Sequence, residues 1–315
     1  MPETSSRSRI MSLMARRLTL IAQTAMLVAL SACNGVTAPK PTTTAPPGSP
    51  SPVAEGSPSP APSAVQPRPT GAASGSVFVI IMENKSYDEA LRGTYTASLA
   101  SQYAIATNYH AVSHPSEPNY LALTSGSTWG ATDDSYRALP PGGIGQQLTD
   151  AGLSWRAYME GLPSSCMRNQ YPYALKHDPF PFYGGSCAGV ASTDALPRDL
   201  THSTPRFVWI SPGLCNNTHD CPVATGDRWL SHVVPEIINS AGWRADGVLF
   251  LTWDEDDGSA QNRVATLVIA PNLKQHRSAS PYTHYSLLAT IEDRLGVGRL
   301  GAAVGTAPMD DLLAP

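Results

Sequence analysis

Four things are missing from the sequence. It has no Cys-x-x-Cys pair among its five cysteines, no internal repeat, no surplus of positive charge beyond residue 75, and no apolar run suited to a permanent membrane helix. The first absence argues against a thiolate zinc site, although four cysteines leave that alternative formally open. The second excludes a solenoid. Residues 76–315 carry 15 Lys plus Arg against 23 Asp plus Glu, near −8 with His neutral. That balance excludes the basic face a nucleic-acid binder needs and permits a cation site. The main apolar run, Leu18 to Leu30, is shorter than the roughly 20 residues of a bilayer span.

That run lies in an export signal. Arg7, Arg9, Arg16 and Arg17 precede it, and it closes in Leu30-Ser31-Ala32-Cys33, which resembles the bacterial lipobox. Residues 1–33 are therefore expected to direct export, with Cys33 lipidated and anchoring the chain to the outer face of the cell membrane. A plain cleavable signal, giving a secreted protein, is the alternative. Residues 34–75 read as a linker, since 11 of the 29 prolines fall here among Ser, Thr and Ala, with almost nothing apolar to bury.

Residues 76–315 are long enough for one α/β domain. Val77 to Met82, Phe207 to Ile210, Gly247 to Thr252 and Ala265 to Ala270 read as buried strands, and Leu153 to Met159 as a fifth. Helices are predicted over Tyr95 to Ala106, Glu117 to Thr124, Ile144 to Ala151, Asp227 to Ser240 and His284 to Leu295, with Pro235 expected to kink the fourth. Strands alternating with helices imply a mainly parallel central sheet covered on both faces. Four cysteines remain after Cys33, an even number in an oxidising compartment. The simplest pairing is Cys166 with Cys187 and Cys215 with Cys221.

Three clusters carry possible chemistry. The strand Val77 to Met82 stops in Glu83, Asn84 and Lys85, and Gly247 to Thr252 runs into Asp254, Glu255, Asp256 and Asp257. Ligands of open α/β sheets gather at the carboxyl ends of strands. If the two strands are neighbours, Glu83, Asn84, Asp254 and Glu255 form an all-oxygen site for a hard divalent ion. Taken alone, each segment fits the start of a solvated loop as well. Ser116 opens a short helix, where a hydroxyl meets free N–H groups and the positive end of the dipole; its local sequence favours a simple N-cap. His219 and Asp220 lie inside the loop CNNTHDC, and His284 opens the last helix; a lone His is most often without special role.

Five segments in this order, IMENKSYDEAL, SHPSEPNYLALTSGS, NTHDCPVATGDRWLSHVVPEIINS, LFLTWDEDDGS and YTHYSLLATIEDRLGVGRLG, resemble the bacterial phosphoesterase family. That family contains acid phosphatases and phospholipases C and is related in fold to alkaline phosphatase. The chain is most similar to the short secreted acid phosphatases, some of which act on phosphoinositide 3-phosphates. The resemblance implies an alkaline phosphatase-like α/β fold and a divalent metal cation held by Glu83, Asn84, Asp254 and Glu255. It implies Ser116 as nucleophile, His219 and His284 around the phosphoryl group, and His114 and Asp220 as further candidates. A protonated His donating to the leaving oxygen favours acidic working pH. The two-metal enzymes of the wider superfamily have more His and Asp ligands than are found here. The expected substrate is a phosphate monoester or phospholipid, and the expected state a monomer. A phospholipase C-type phosphodiesterase is a second reading, disfavoured because the chain ends soon after the last helix. A catalytically silent, membrane-tethered ligand binder is a third.

Overall fold

The computed structural model describes residues 74–314. The export signal, Cys33 and the linker up to residue 73 lie outside the described residues. In chain order the elements are β1 (Val77–Met82), α1 (Tyr87–Ala90), α2 (Thr94–Gln102), β2 (Ala104–Ala106), β3 (Tyr109–His110), α3 (Ser116–Ser125), α4 (Gly143–Asp150) and β4 (Trp155–Met159). They continue with β5 (Val190–Ser192), α5 (Leu196–His202), β6 (Phe207–Ser211), α6 (Val223–Ile238), α7 (Ala241–Arg244), β7 (Val248–Trp253), β8 (Thr266–Ile269), β9 (His276–Ser278), β10 (Tyr282–Thr283) and α8 (His284–Leu295).

Eight strands form one sheet in the order β5-β4-β6-β1-β7-β8-β2-β9. Only β8 runs against its neighbours, pairing antiparallel with β7 and β2. The expected mainly parallel sheet is observed. Its centre is apolar on both faces: every residue of β1, β6 and β7 is buried, which is why their sequences, Ser211 and Thr252 apart, are apolar throughout instead of alternating. The outer strands β5 and β9 are three residues long, and short edges leave little unpaired backbone for another chain.

Two expectations need correction. The helix predicted over Tyr95 to Ala106 ends at Gln102, and Ala104–Ala106 crosses into the sheet between β8 and β9. Three small apolar residues fit either period, so tertiary pairing decides. Helix α6 begins at Val223, four residues before the predicted start, and carries Pro235 inside its last turn. Among the described residues no helix is long and apolar enough to cross a membrane.

The register brings the acidic strand ends together. Met82 lies opposite Trp253, and the Asp254 amide donates to the Met82 carbonyl at 3.0 Å, so Glu83 and Asp254 leave the sheet side by side. The loop after β6 closes over them. The Glu83 amide donates to Asn217 O at 2.7 Å and the Thr218 hydroxyl donates to Glu83 O at 2.7 Å. Thr218 at φ 79° and Asn84 at φ 50° occupy the left-handed region, which is unusual for a β-branched residue. Such backbone costs about 1–3 kcal/mol and persists only where surrounding contacts dictate it.

Candidate active site

Helix α3 brings the hydroxyl. All ten of its residues are buried, and Gly126 ends it in the left-handed conformation, at a point where a side chain would meet Leu300 O. Ser116 is its first residue, with Pro115 in the cap position, so the N-cap expected of Ser116 is not made. The capping function falls instead to Asp134, whose Oδ1 accepts from the Glu117 amide at 3.0 Å. Released from that task, Ser116 Oγ lies 3.2 Å from Glu83 Oε2 and 3.1 Å from Glu255 Oε1. One hydroxyl proton faces two carboxylates.

Glu83 and Asp254 are fully buried and Glu255 nearly so. Burial pushes all three carboxyls up. Asp254 aggravates Glu83, and Glu255 helps raise Asp254, which with Glu255 reaches about 7. Tyr120, one turn after Ser116, donates its hydroxyl to Glu83 Oε1. The Asn84 amide N–H donates to Asp254 Oδ1 at 3.1 Å, whereas Asp254 Oδ2 has no hydrogen-bond partner among the described residues. The Asn84 side-chain oxygen faces only acceptors, Glu83 Oε2 at 3.2 Å and Glu255 Oε1 at 3.3 Å; turning the amide over would make both contacts hydrogen bonds. Three buried carboxylates, an amide oxygen and an unpartnered oxygen fit a hard divalent cation, which would neutralise this charge.

On the far side of Glu83 stands a group that sequence reasoning missed. His177 is buried, stacks on Tyr120 with ring centroids 5.3 Å apart, and holds Nε2 3.2 Å from Glu83 Oε1 without hydrogen-bonding to it. Asn217 Nδ2 donates to His177 Nδ1 at 3.4 Å. The ring proton therefore sits on Nε2. Burial and the Lys176 charge hold His177 well below the usual histidine range, so it is a neutral donor. Lys176 Nζ donates to Asp134 Oδ2 at 2.8 Å and lies 3.3 Å from His219 Nε2. Ligand atoms of Glu83, His177 and His219 lie within 4.8 Å of one another, close enough to share a cation only with the His177 proton moved off Nε2. The Lys176 ammonium already brings positive charge to that corner.

The remaining predicted residues divide. His219 Nδ1 pairs with Asp220 Oδ1 at 2.7 Å, which leaves Nε2 turned toward Lys176 and the site. Half-exposed His114 meets Glu255 Oε2 through Nδ1, with Nε2 3.4 Å from Asp256 Oδ1. His284 does not surround the phosphoryl position. Its Nε2 donates to the Asp254 carbonyl at 2.6 Å and its Nδ1 accepts from Tyr109 Oη at 2.9 Å, so both ring nitrogens are spent. Burial lowers it to about 4 and keeps it neutral, and it fixes the backbone that carries Asp254. Asp256 is also structural, accepting from the amides of Gly258, Ala260 and Asn262. Both expected disulfides, Cys166–Cys187 and Cys215–Cys221, are present and close the loops that hold His177 and His219.

Residues 90–298 match the Phosphoesterase family. The chain is 31% identical over 248 residues to a phosphatidylinositol-3-phosphatase of Mycobacterium tuberculosis, covering 75% of this chain and 82% of that protein. It is 28% identical over 254 residues to an acid phosphatase of Aspergillus fumigatus, covering 73% of this chain but only 57% of that longer protein. Among solved structures the fold is similar to that of a protein in the alkaline phosphatase superfamily from Vibrio parahaemolyticus, with a TM-score of 0.58 at 11% identity over 80% of this chain and 72% of that one. The chain belongs to the phosphoesterase family and is a phosphoric ester hydrolase on an alkaline phosphatase-like α/β fold.

Proposed function

We propose that the chain is an exported, metal-dependent phosphomonoesterase that works through a phosphoserine at Ser116. The observation that carries this reading is the buried Ser116 hydroxyl set between Glu83 and Glu255. Glu83, Asn84 and Asp254 would hold the divalent cation, with Glu255 at its outer side. When bound, that ion supplies Lewis acidity and a template for the phosphoryl group.

The residues of the chain do the rest. Ser116 passes its proton to Glu255 Oε1, and His114, bonded to the other oxygen of Glu255 and half-exposed, relays it to solvent. The Ser116 oxygen attacks phosphorus as the bond to the alcohol oxygen breaks. His219 acts in its doubly protonated form: held at Nδ1 by Asp220, it gives its Nε2 proton to the departing oxygen. The His177 Nε2–H and the Lys176 ammonium stabilise charge on the phosphoryl oxygens. Water then gives a proton to His219 and attacks phosphorus as the bond to Ser116 Oγ breaks; Ser116 takes a proton back from Glu255, resupplied through His114, and phosphate leaves.

Two disulfides support an oxidising compartment and hence export, with the lipid anchor at Cys33 as its proposed form. The mycobacterial relative makes phosphatidylinositol 3-phosphate a candidate substrate. The test is a set of initial rates on p-nitrophenyl phosphate, bis-p-nitrophenyl phosphate and a phosphatidylcholine analogue, with and without chelator. Chelator-sensitive hydrolysis of the monoester is expected. Preference for either diester points to a phospholipase C-type enzyme, and no turnover by folded protein to a ligand binder.

A further inference from the structure

A cavity of about 290 Å³ opens from the His219 and Lys176 side of the site. Two larger cavities, near 730 and 740 Å³, share no residue with the site. Its walls come from the two disulfide-closed loops and from the segment of Asp134 and Tyr136 that follows α3. Position matters first. Ser116 approaches Glu83 at Oε2, whereas His177 approaches at Oε1, with His219 beside it. In-line displacement places the leaving oxygen opposite the nucleophile, which is the side where the cavity begins.

The lining has two characters. Phe182 and Leu214 give an apolar wall, and the Tyr136 ring packs on Phe182 with centroids 5.0 Å apart, which fixes where its hydroxyl lies. Against that wall stand solvent-exposed hydrogen-bonding groups without partners among the described residues. Asn169 spends Oδ1 on the Leu175 amide at 2.7 Å and keeps both amide protons free, and the Tyr136 hydroxyl is likewise unpaired. The charges are Asp134, Asp220 and Lys176, a net negative balance with the ammonium already paired to Asp134. Such a lining suits hydroxyl groups and a C–H face, and offers no unpaired cation to a second phosphate inside the cavity itself. The volume fits one six-membered ring, at the small end of ligand sites.

We infer that this cavity, bounded by Asn169, Tyr136, Phe182 and Leu214 beside His219, is the leaving-group subsite and takes an uncharged polyhydroxylated ring, as in a hexose monophosphate. The inference rests on the phosphomonoesterase reading above. Tyr136→Phe removes one hydroxyl and leaves the ring packing; Asn169→Asp keeps the acceptor for Leu175 and removes the amide donor. Each variant is expected to lower kcat/KM for a hexose monophosphate about five- to tenfold, through KM, while p-nitrophenyl phosphate stays within about threefold of wild type. Equal losses on both substrates, or no loss on the hexose phosphate, overturn the subsite and leave the phosphatase reading intact. Failure of wild type to hydrolyse either substrate overturns both. Should Asn169→Asp not fold, Tyr136→Phe decides alone.

Discussion

At the scale of single residues, the site is a set of buried acidic groups with a fixed positive beside them. Lys176 supplies it, because Asp134 holds its ammonium between His219 and the acidic centre. Lys176→Met keeps the stem and deletes the charge. It is expected to lower kcat/KM on p-nitrophenyl phosphate about a hundredfold with metal content unchanged, which steady-state kinetics and metal analysis will show. The carboxylates make a second expectation. Without metal, Asp254 and Glu255 keep protons up to about 7 because burial penalises their charge. Cation binding needs them ionised, so it releases protons and weakens as pH falls below that value. Titration calorimetry in two buffers of different ionisation enthalpy reads the release directly; pH-independent affinity with no proton release would contradict it.

At the scale of elements, α8 carries a cost unrelated to catalysis. Its Glu292 accepts from the Leu300 amide at 2.8 Å, has an unpartnered Oε2 and is pushed by burial to about 9. A carboxyl with a raised folded pKa holds a proton that the unfolded chain loses, so it lowers stability progressively as pH rises from about 4.5 to about 9. Glu292→Gln keeps the acceptor and removes the titration. Thermal unfolding should show the variant more stable than the parent near about pH 8, with the gap closing toward about pH 5. Elements also show what could be read from sequence alone. Strands β1, β6, β7 and β8 were legible because full burial leaves an unbroken apolar run, and α8 because its apolar positions keep helical spacing before Gly296. Strands β2, β3, β9 and β10, of two or three residues, are too short to carry a period. The acidic strand ends were legible for a similar reason, since polar residues abruptly end an apolar run. His177 and Lys176 were not, because they sit on a three-residue 3₁₀ turn, too short to carry a period, inside a disulfide-closed loop. Tyr120 could have been found: it lies four residues after Ser116, on the same helical face.

At the scale of the molecule, the sheet supplies the acidic tips, α3 the hydroxyl, and two disulfide-closed loops the opposite wall. The larger loop is closed by Cys166 and Cys187, 21 positions apart, and contributes Asn169, Lys176, His177 and Phe182. Replacing both cysteines by Ser should cost about 3 kcal/mol of stability, measured by denaturant unfolding, and should raise KM while leaving metal content unchanged. Loss of metal instead would mean that the loop helps to hold the cation. The central claim is that Ser116 takes the phosphoryl group. Acid quenching during turnover of a radiolabelled monoester, followed by peptide mapping, tests it most directly. Label on the peptide containing Ser116, absent in Ser116→Ala, is the expected result. Label on another residue, or an active Ser116→Ala protein, would contradict it.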